Sequence, residues 1–406
     1  MSLPPHHPFS LEYTSDPQST FREVHEDNRF LTFEDLGAVA VHGYDAVRSF
    51  CDHPQMTRNF ADSGFGDEEA MAARAERWPT LESSMAAAAS QGTERAHLLR
   101  ELLAPDFRPG MINKMATTVD EVVSQVCAPL RTESDLDVVK LVQEVPLIII
   151  SRLLGIEENT RDSQLFLTSA PDYFRGINPI CSDLDRDKAE AAATTMMKII
   201  GRVIEDRRSK PQTDLISQVI EIADKLGDVD PVDVVRSIVI LVAAGTDTTR
   251  LTTSLAVKTL LSHPEAFEAM REDRDLVKNG VMELLRFNGP TKYLVRVATE
   301  DVEFEGQSVP KGSLVLLSIM GAGWDPRVFP KPEIFDPRRD LKGSLSFGFG
   351  AGYCLGVHLA RLQVGTLLDF FLDHLPSDAT FDPSQITWEP GNLFLREITS
   401  MPIHVR

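Results

Sequence analysis

The 406-residue sequence is poor in basic charge, in cysteine and in long apolar runs. It has 41 lysines and arginines against 61 aspartates and glutamates, which gives a net charge of −20. A surface of that sign repels a phosphate backbone and an anionic membrane, so neither nucleic acid nor a membrane is an expected partner. Residues 1–20 carry histidines and acids among prolines and lack the apolar core of a signal peptide or membrane anchor. The expected location is therefore the cytoplasm.

The four cysteines stand too far apart for a disulfide framework or a zinc site, so any role of cysteine rests on one residue at a time. The chain also has no internal repeat and no Gly/Ser linker that would separate two cores. A single domain over residues 1–406 is therefore expected, with about residues 1–10 as a flexible N-terminal lead.

Hydrophobic spacing divides the chain into a large helical part and a small β-rich part. Between about residues 112 and 290, apolar residues recur at three- and four-residue intervals, as at Leu141 and Val145. From Thr299 they alternate with polar residues between glycine and proline turns, as strands do. Helical spacing returns after Cys354. The expected fold is mainly α, a large helical domain with a small β-rich region.

Residues 347–356 form a glycine-rich stretch with Cys354 near its end. Glycines permit tight turns and a close approach to a flat ligand, and a helix N-terminus beside a thiol lowers its pKa and suits it to metal binding. In isolation, such a cysteine is more often a buried structural residue. This stretch, however, resembles the haem-binding signature of cytochromes P450, Phe-Gly-x-Gly-x-(His/Arg)-x-Cys-x-Gly. The matching positions are Phe347, Gly348, Gly350, Cys354 and Gly356.

The resemblance implies a bacterial-type cytochrome P450 fold in which Cys354 ligates the iron of haem b. Residues 243–249 are similar to the family's central-helix motif, (Ala/Gly)-Gly-x-(Asp/Glu)-Thr, although alone they would be the polar end of a core helix. Ala244 and Thr248 are four residues apart and share a helix face. The resemblance implies that Ala244 borders the haem and that Asp247 and Thr248 deliver the two protons of the reaction.

Glu283 and Arg286 form a Glu-x-x-Arg pair, which in isolation is typical of an exposed helix surface. In the family such a pair is locked by an arginine from a later Phe-Asp-Pro segment, and Arg339 matches that arginine. Breaking a buried charged network is costly, so substitution of Glu283 or Arg286 is expected to cost haem as well as stability. The motifs follow the family's order, and the likeness runs from about residue 10 to the C-terminus.

Two departures from the family pattern concern the haem propionates, which are anionic and need cationic or hydrogen-bonding partners. The usual His or Arg two positions before the cysteine is Gly352 here, and the usual histidine of an early helix falls on Ala96. The resemblance leaves Arg100 and Arg296 as the expected propionate ligands. His97 and Arg95 are the candidate substitute ligands, and the alternative for His97 is a surface histidine.

Family position also implies the lining of a substrate pocket. The candidates are Ala243, Ala244, Thr248, Lys292, Tyr293, Leu294 and Phe394. Lys292 has two open interpretations, a partner for a substrate carboxylate or a lysine that points to solvent. The role of Trp324, which stands where the family commonly has arginine, has no interpretation from the sequence.

The resemblance implies a monooxygenase that inserts one oxygen atom from dioxygen into an apolar small molecule, by hydroxylation or epoxidation, in specialised metabolism or catabolism. Alternatives are oxidative ring closure or coupling on the same fold, and a haem-binding sensor or carrier without turnover. No Gly-x-Gly-x-x-Gly dinucleotide loop is present, so electrons from NAD(P)H must arrive through other proteins, a ferredoxin and its reductase. The protein is expected to be a monomer. Basic candidates for ferredoxin docking are Arg100, Arg338, Arg339, Lys342, His358 and Arg361.

Overall fold

The computed structural model describes residues 3–26, 29–58, 68–89, 100–178, 181–227 and 229–405. The helices in these ranges are α1 (Leu11–Ser15), α2 (Gln18–Glu26), α3 (Tyr44–Cys51), α4 (Glu68–Arg77), α5 (Pro79–Ala89), α6 (Pro109–Ile112), α7 (Ala116–Val126), α8 (Val138–Val142), α9 (Val145–Leu153), α10 (Arg161–Gly176), α11 (Asp183–Ser209), α12 (Leu215–Leu226), α13 (Pro231–Ser262), α14 (Pro264–Glu272), α15 (Asp275–Asn288), α16 (Ile319–Gly323) and α17 (Val357–His374). The strands are β1 (Phe30–Phe33), β2 (Ala38–Val41), β3 (Met56–Thr57), β4 (Asp135–Asp137), β5 (Tyr293–Ala298), β6 (Val302–Phe304), β7 (Gln307–Val309), β8 (Leu314–Ser318), β9 (Thr387–Glu389), β10 (Glu397–Ser400) and β11 (Pro402–His404). Of the helices described, none has the length and apolar character needed to cross a membrane.

Helix α13 runs through the middle of the helical body and packs against α9, α10, α11, α15 and α17. Asp230 caps its start, because the carboxylate accepts a hydrogen bond from the Val232 N–H at 2.9 Å. A helix with apolar residues on most of its sides is typical of a buried core helix, and Val239 and Val242 are fully buried. The main core therefore forms around α13.

Within the described ranges, the main sheet has five strands in the order β1-β2-β8-β5-β3. Strands β2 and β8 pair in parallel, and β5 pairs antiparallel with both β8 and β3. In that register Arg296 lies opposite Val315, and Val297 lies opposite Thr57. Residue 58 therefore leaves the sheet next to Arg296.

The β-rich part begins earlier than the sequence pattern predicts. The alternation of apolar and polar residues starts at Thr299, but strand β5 ends before that residue. Strands β1 and β2 of the same sheet lie in the N-terminal region. Strand β5 is buried along nearly its whole length, and a strand covered on both faces has no polar face to produce alternation. The mainly α fold with a small β-rich region is otherwise as expected.

The N-terminal segment makes contacts with distant parts of the chain from His7 onward. His7 is buried, and its Nε2 lies 3.0 Å from a carboxylate oxygen of Asp35. The Pro8 carbonyl accepts a hydrogen bond from Nζ of Lys292 at 2.9 Å. Ser10 caps α1 by accepting from the Tyr13 N–H at 2.9 Å. These contacts tie His7 and Pro8 to other parts of the chain, and a flexible lead at about residues 1–10 stays a prediction.

Candidate active site

The cysteine loop, residues 347–356, turns tightly at its glycines. Gly348 and Gly350 have φ of +76° and +64°, a left-handed conformation that favours glycine. The loop is closed by the Cys354 N–H, which donates to the Phe347 carbonyl at 2.9 Å. The backbone thus holds Cys354 at the end of a compact turn.

Cys354 lies directly before the N-terminus of α17. The helix begins at Val357 with Gly356 as its N-cap, and the Gly356 backbone N–H lies beside the thiol. Burial raises the pKa of the Cys354 thiol, whereas this N–H and the nearby charge of Arg100 lower it. Helix N-termini and cations are the surroundings in which cysteines become thiolate ligands.

Three arginines gather at one edge of the cysteine loop. Nη1 of Arg100 donates to the Tyr353 carbonyl at 2.9 Å. Arg296 is buried, and its Nη2 donates to the Cys51 carbonyl at 2.9 Å. Burial, followed by the positive charge of Arg296, lowers the pKa of Arg58 to about 10, and Arg100 acts in the same direction. The charges of Arg296 and Arg100 thus both act on Arg58, and those of Cys51 and Asp52 oppose them.

These groups fit haem b. Within the described part of the chain, no carboxylate oxygen lies within 4.0 Å of a guanidinium nitrogen of Arg58, Arg100 or Arg296. The charge of Asp52 raises the pKa of Arg58 and of Arg296, but its carboxylate lies beyond 4.0 Å of both guanidinium groups. Partly buried guanidinium groups without an ion-pair partner favour an anionic ligand such as a pair of propionates. The half-buried thiol of Cys354 next to them supplies a donor for iron. His97, the other predicted propionate ligand, lies outside the described residues.

One face of α13 is open at the predicted central motif. Ala244 is exposed although it lies in the middle of a buried helix, and a Cβ added to Gly245 would meet no atom within 4 Å. Oγ1 of Thr248 donates to the Ala244 carbonyl at 2.7 Å. The structure thus brings Ala244 and Thr248 together beside open space. Ala243, a pocket candidate, is buried in the core instead, because it lies on a different side of the helix.

Asp247 is part of an ion-pair network. Nε of Arg250 donates to its carboxylate at 3.2 Å, and Nη2 of Arg250 lies 3.6 Å from a carboxylate oxygen of Glu397 in β10. Burial raises the pKa of Asp247, while Arg250 and then Arg175 lower it. Burial also raises the pKa of Glu397. Two carboxyl groups of raised pKa therefore share one guanidinium at the side of the central helix.

Glu283, Arg286 and Arg339 form the predicted cluster. The Glu283 carboxylate accepts from Nε and Nη2 of Arg286, both at 2.7 Å, and from Nε of Arg339 at 3.1 Å. The side chains of Glu283 and Arg286 are 0% exposed. Arg286 also donates to the Gly323 and Pro332 carbonyls at 2.9 and 3.1 Å. The cluster thereby ties α15 to residues 323–339, which lead into the cysteine loop.

Trp324 has a structural role. Its Nε1 donates to the Phe287 carbonyl at 3.0 Å, and its ring centroid lies 5.3 Å from that of Phe287. Asp325, which follows it, accepts from the backbone N–H of Tyr44 and from Arg327. Burial opposes ionisation of Asp325, but these hydrogen bonds lower its pKa to about 2. Trp324 and Asp325 therefore fasten α15 and α3 to the segment after α16.

Lys292 and Tyr293 do not line an open face. Nζ of Lys292 lies 2.9 Å from three oxygens, the Pro8 and Asn392 carbonyls and the Thr14 hydroxyl, and the residue is 1% exposed. The Tyr293 ring is fully buried and stacks on that of Tyr13 with centroids 5.8 Å apart. Both interpretations of Lys292, the substrate partner and the solvent-facing lysine, are therefore wrong. The lysine fastens the N-terminal segment to the C-terminal region.

Lys292→Met is expected to destabilise the protein by about 1–3 kcal/mol, because the buried oxygens lose their donor. Urea unfolding would measure this, and hydrogen exchange should show faster opening of residues 7–15. Lys311→Met, at an exposed lysine, is the matched control. Altered substrate affinity without a loss of stability would contradict this role and return Lys292 to the pocket.

The remaining pocket candidates lie in two places. Cδ1 of Leu294 is 3.6 Å from where a Cβ at Gly348 would lie, so Leu294 borders the cysteine loop. Phe394 is half-buried against the main core, and its carbonyl accepts the Lys292 N–H at 2.8 Å. Leu294 thus lies next to the candidate cofactor site, whereas Phe394 is tied to the Lys292 region.

The docking candidates differ in exposure. Arg338 and Lys342 are exposed, as is Tyr353 beside the cysteine. Arg339 is committed to Glu283 and to three backbone carbonyls, so it does not offer its charge to a partner. His358 and Arg361 are half-buried on the first turns of α17.

Sequence reasoning missed three residues of the site: Arg58, Arg250 and Glu397. The three-residue spacing of Asp247 and Arg250 is a visible signal for an ion pair on a helix. The loss of a cation at Gly352 is a signal that another cation must replace it, but not from where. Glu397 left no signal, because its place depends on how β10 packs on α13.

Comparison with known proteins gives consistent matches. The family model described as Cytochrome P450 matches residues 62–379. Polyketide biosynthesis cytochrome P450 PksS of Bacillus subtilis (strain 168) is 27% identical, over 98% of this chain and 98% of its own length. Cytochrome P450 monooxygenase PikC of Streptomyces venezuelae is 29% identical, over 97% of this chain and 92% of its own. The solved structure of PksS superposes with a TM-score of 0.86 at 26% identity, covering 98% of this chain and 99% of that one.

These matches confirm the resemblance and the fold expected from the sequence. The family model covers most of the chain, from residue 62 to residue 379, and includes the central motif, the Glu283 cluster and the cysteine loop. The relatives match over nearly their whole length, so the agreement is not confined to the signature. This chain belongs to the cytochrome P450 family.

Proposed function

We propose that this protein holds haem b through the thiolate of Cys354 and hydroxylates or epoxidises an apolar small molecule. Family membership makes it a haem-thiolate oxidoreductase of the monooxygenase type. When bound, haem supplies the activation of dioxygen, with the balance RH + O₂ + 2e⁻ + 2H⁺ → ROH + H₂O. The observation that carries the proposal is the thiol at the start of α17 beside three arginines without a carboxylate partner in the described chain.

In this proposal each group of the site has one task. Cys354 binds the iron, and Arg100 and Arg296 bind the propionates, as guanidinium groups do with carboxylates. The open face at Ala244 leaves room for dioxygen and substrate. Thr248 and Asp247 move protons toward that face, since a hydroxyl backed by a carboxyl group can pass protons without admitting bulk water.

The substrate and partners are inferred from the relatives and from charge. The relatives named for polyketide biosynthesis and as a monooxygenase support oxidation of a complex apolar metabolite rather than a sensor or carrier without turnover. We infer electron delivery from NAD(P)H through a ferredoxin and its reductase, with docking near Arg338 and Lys342. All four cysteines are free, in keeping with a reducing cytoplasm, and the protein is expected to act as a monomer.

The Cys354→Ser variant tests the proposal. The reduced, carbon monoxide-bound wild-type protein is expected to show the strongly red-shifted Soret band of a thiolate ligand, and the variant is expected to lose it. Cys181→Ser, at a half-buried cysteine whose thiol bonds to the Gly176 carbonyl, is the control and should keep the band. A wild-type spectrum of nitrogen-ligated haem, or no haem uptake at all, would refute the proposal. Turnover with a ferredoxin and reductase then identifies hydroxylation, epoxidation or coupling from the products.

A further inference from the structure

The guanidinium group of Arg58 occupies the space beside Gly352. A Cβ built on Gly352 would lie 1.7 Å from Nη2 of Arg58 and 2.9 Å from its Cζ. Contacts under 3.0 Å are not found for real Cβ atoms, so any side chain at position 352 would displace the guanidinium. The backbone conformation does not itself require a glycine there, since Gly352 is not among the glycines with positive φ. A side chain at position 352 and Arg58 in its present place therefore exclude each other.

The sheet delivers Arg58 to this point. Strand β3 ends at Thr57, which pairs with Val297 of β5, so Arg58 follows next to Arg296. The side chain is only half-exposed, and its charge lies close to those of Arg296 and Arg100. In the described ranges no carboxylate oxygen lies within 4.0 Å of its guanidinium group, although the charge of the more distant Asp52 raises its pKa. Arg296 donates a hydrogen bond to the Cys51 carbonyl, and Arg100 donates one to the Tyr353 carbonyl.

We infer that Arg58 supplies the cation that the cysteine loop lacks at Gly352 and binds a haem propionate together with Arg100 and Arg296. This inference rests on the proposed binding of haem at Cys354. A guanidinium is suited to the task because it stays charged when partly buried and can donate two parallel hydrogen bonds to one carboxylate. In this inference the propionate donor comes from the end of β3 and not from the cysteine loop, and it lies where a side chain at position 352 would lie.

The inference makes residues 58 and 352 a coupled pair. Arg58→Ser is expected to speed haem loss by about tenfold or more, as for the loss of a hydrogen-bonded ion pair. Gly352→Arg alone places two cations in one space and is expected to bind haem poorly. The double variant Arg58→Ser/Gly352→Arg should recover haem retention toward that of the wild type, because the new arginine fills the space that Arg58 has left.

Two measurements on the holoenzyme test this. The first is the rate of haem transfer to an excess of apomyoglobin, and the second is the reduction potential. Removal of a cation beside a propionate stabilises the more positive oxidised state, so Arg58→Ser should lower the potential, and the double variant should restore it. Arg22→Gln, at an exposed arginine, is the control for the loss of one positive charge.

The outcomes separate this inference from the proposed function. If Arg58→Ser keeps haem and potential as Arg22→Gln does, or if the double variant is no better than the single ones, the inference is overturned. Haem loss without a change of potential would assign Arg58 a purely structural role and also overturn it. In each of these cases the wild-type carbon monoxide spectrum still reports the thiolate. Only absence of that spectrum defeats the proposed function itself.

Discussion

Glu283→Gln is expected to lower the free energy of unfolding by about 3–5 kcal/mol and to leave much of the protein without haem. The Glu283 carboxylate accepts four hydrogen bonds, two from Arg286, one from Arg339 and one from the Asp336 N–H. Glutamine keeps the shape but offers one acceptor oxygen and turns an NH₂ group toward these donors. The Arg286 guanidinium then stays buried without a counter-charge, which is the costly state of a broken buried pair.

The loss of haem follows from the position of the cluster. Through Arg286, helix α15 is bonded to the carbonyls of Gly323 and Pro332, and the chain continues from there into the cysteine loop. A loosened cluster releases the segment that holds the loop in place. Urea unfolding and the ratio of haem to protein after purification measure the two effects.

Glu268→Gln is the matched control. Glu268 pairs with Arg271 at the same three-residue spacing and at 2.8 Å, but the side chains are 41% and 28% exposed. Exposed pairs are worth about 0–1 kcal/mol, so the control should change stability little. Equal losses of stability and of haem in the two variants would show that burial is not the reason why the Glu283 cluster stabilises the protein.

Local motifs made part of the site predictable. The cysteine loop, the central motif and the Glu-x-x-Arg pair each lie within about ten residues, and their chemistry is visible in the residue types. The contact between Glu283 and Arg339 was predicted from the resemblance to the family. In the structure Nε of Arg339 donates to the Glu283 carboxylate at 3.1 Å. Helix α17 was visible for the same reason, since one side of it faces the core throughout.

Pairings between distant segments could not be predicted. Strand β3 has two residues, too few for any periodic pattern, yet its pairing with β5 carries Arg58 to the edge of the cysteine loop. The burial of Lys292 depends on oxygens from both ends of the chain. No local sequence pattern encodes these contacts, because they form between segments that are distant in the sequence and meet only in the folded protein.

Thr248→Ala is expected to let oxygen consumption continue while product formation falls by about 10²-fold, the lower range for loss of a general acid. The hydroxyl of Thr248 lies at the open face beside Ala244. Its loss removes a hydroxyl that can donate a proton at that face, so consumed oxygen no longer appears in product. Thr253→Ala is the control, since that hydroxyl also bonds four residues back, to Thr249, but is buried in the core. Equal coupling in the two variants would contradict the role of Thr248.

Asp247 should give this proton delivery its dependence on pH. Burial raises the pKa of Asp247, and Arg250 and Arg175 oppose the rise, with the Glu397 carboxyl group across Arg250. Coupled turnover should therefore fall as the pH rises through this pKa, because the carboxyl group ceases to be an acid. The sign for stability is the same: the folded state binds this proton more tightly than the unfolded chain, so stability also falls with rising pH in that range.

Arg250→Leu removes the main opposing charge and should move the fall in coupling to higher pH, whereas Asp247→Asn should abolish the dependence. The ratio of product formed to oxygen consumed, measured across pH with the same ferredoxin and reductase, reports both changes. The ferredoxin and reductase have a pH dependence of their own. The same measurement on Thr253→Ala contains that dependence and serves to subtract it. A profile that Arg250→Leu leaves unmoved, or that survives in Asp247→Asn, would show that the proton reaches the open face of α13 by another route.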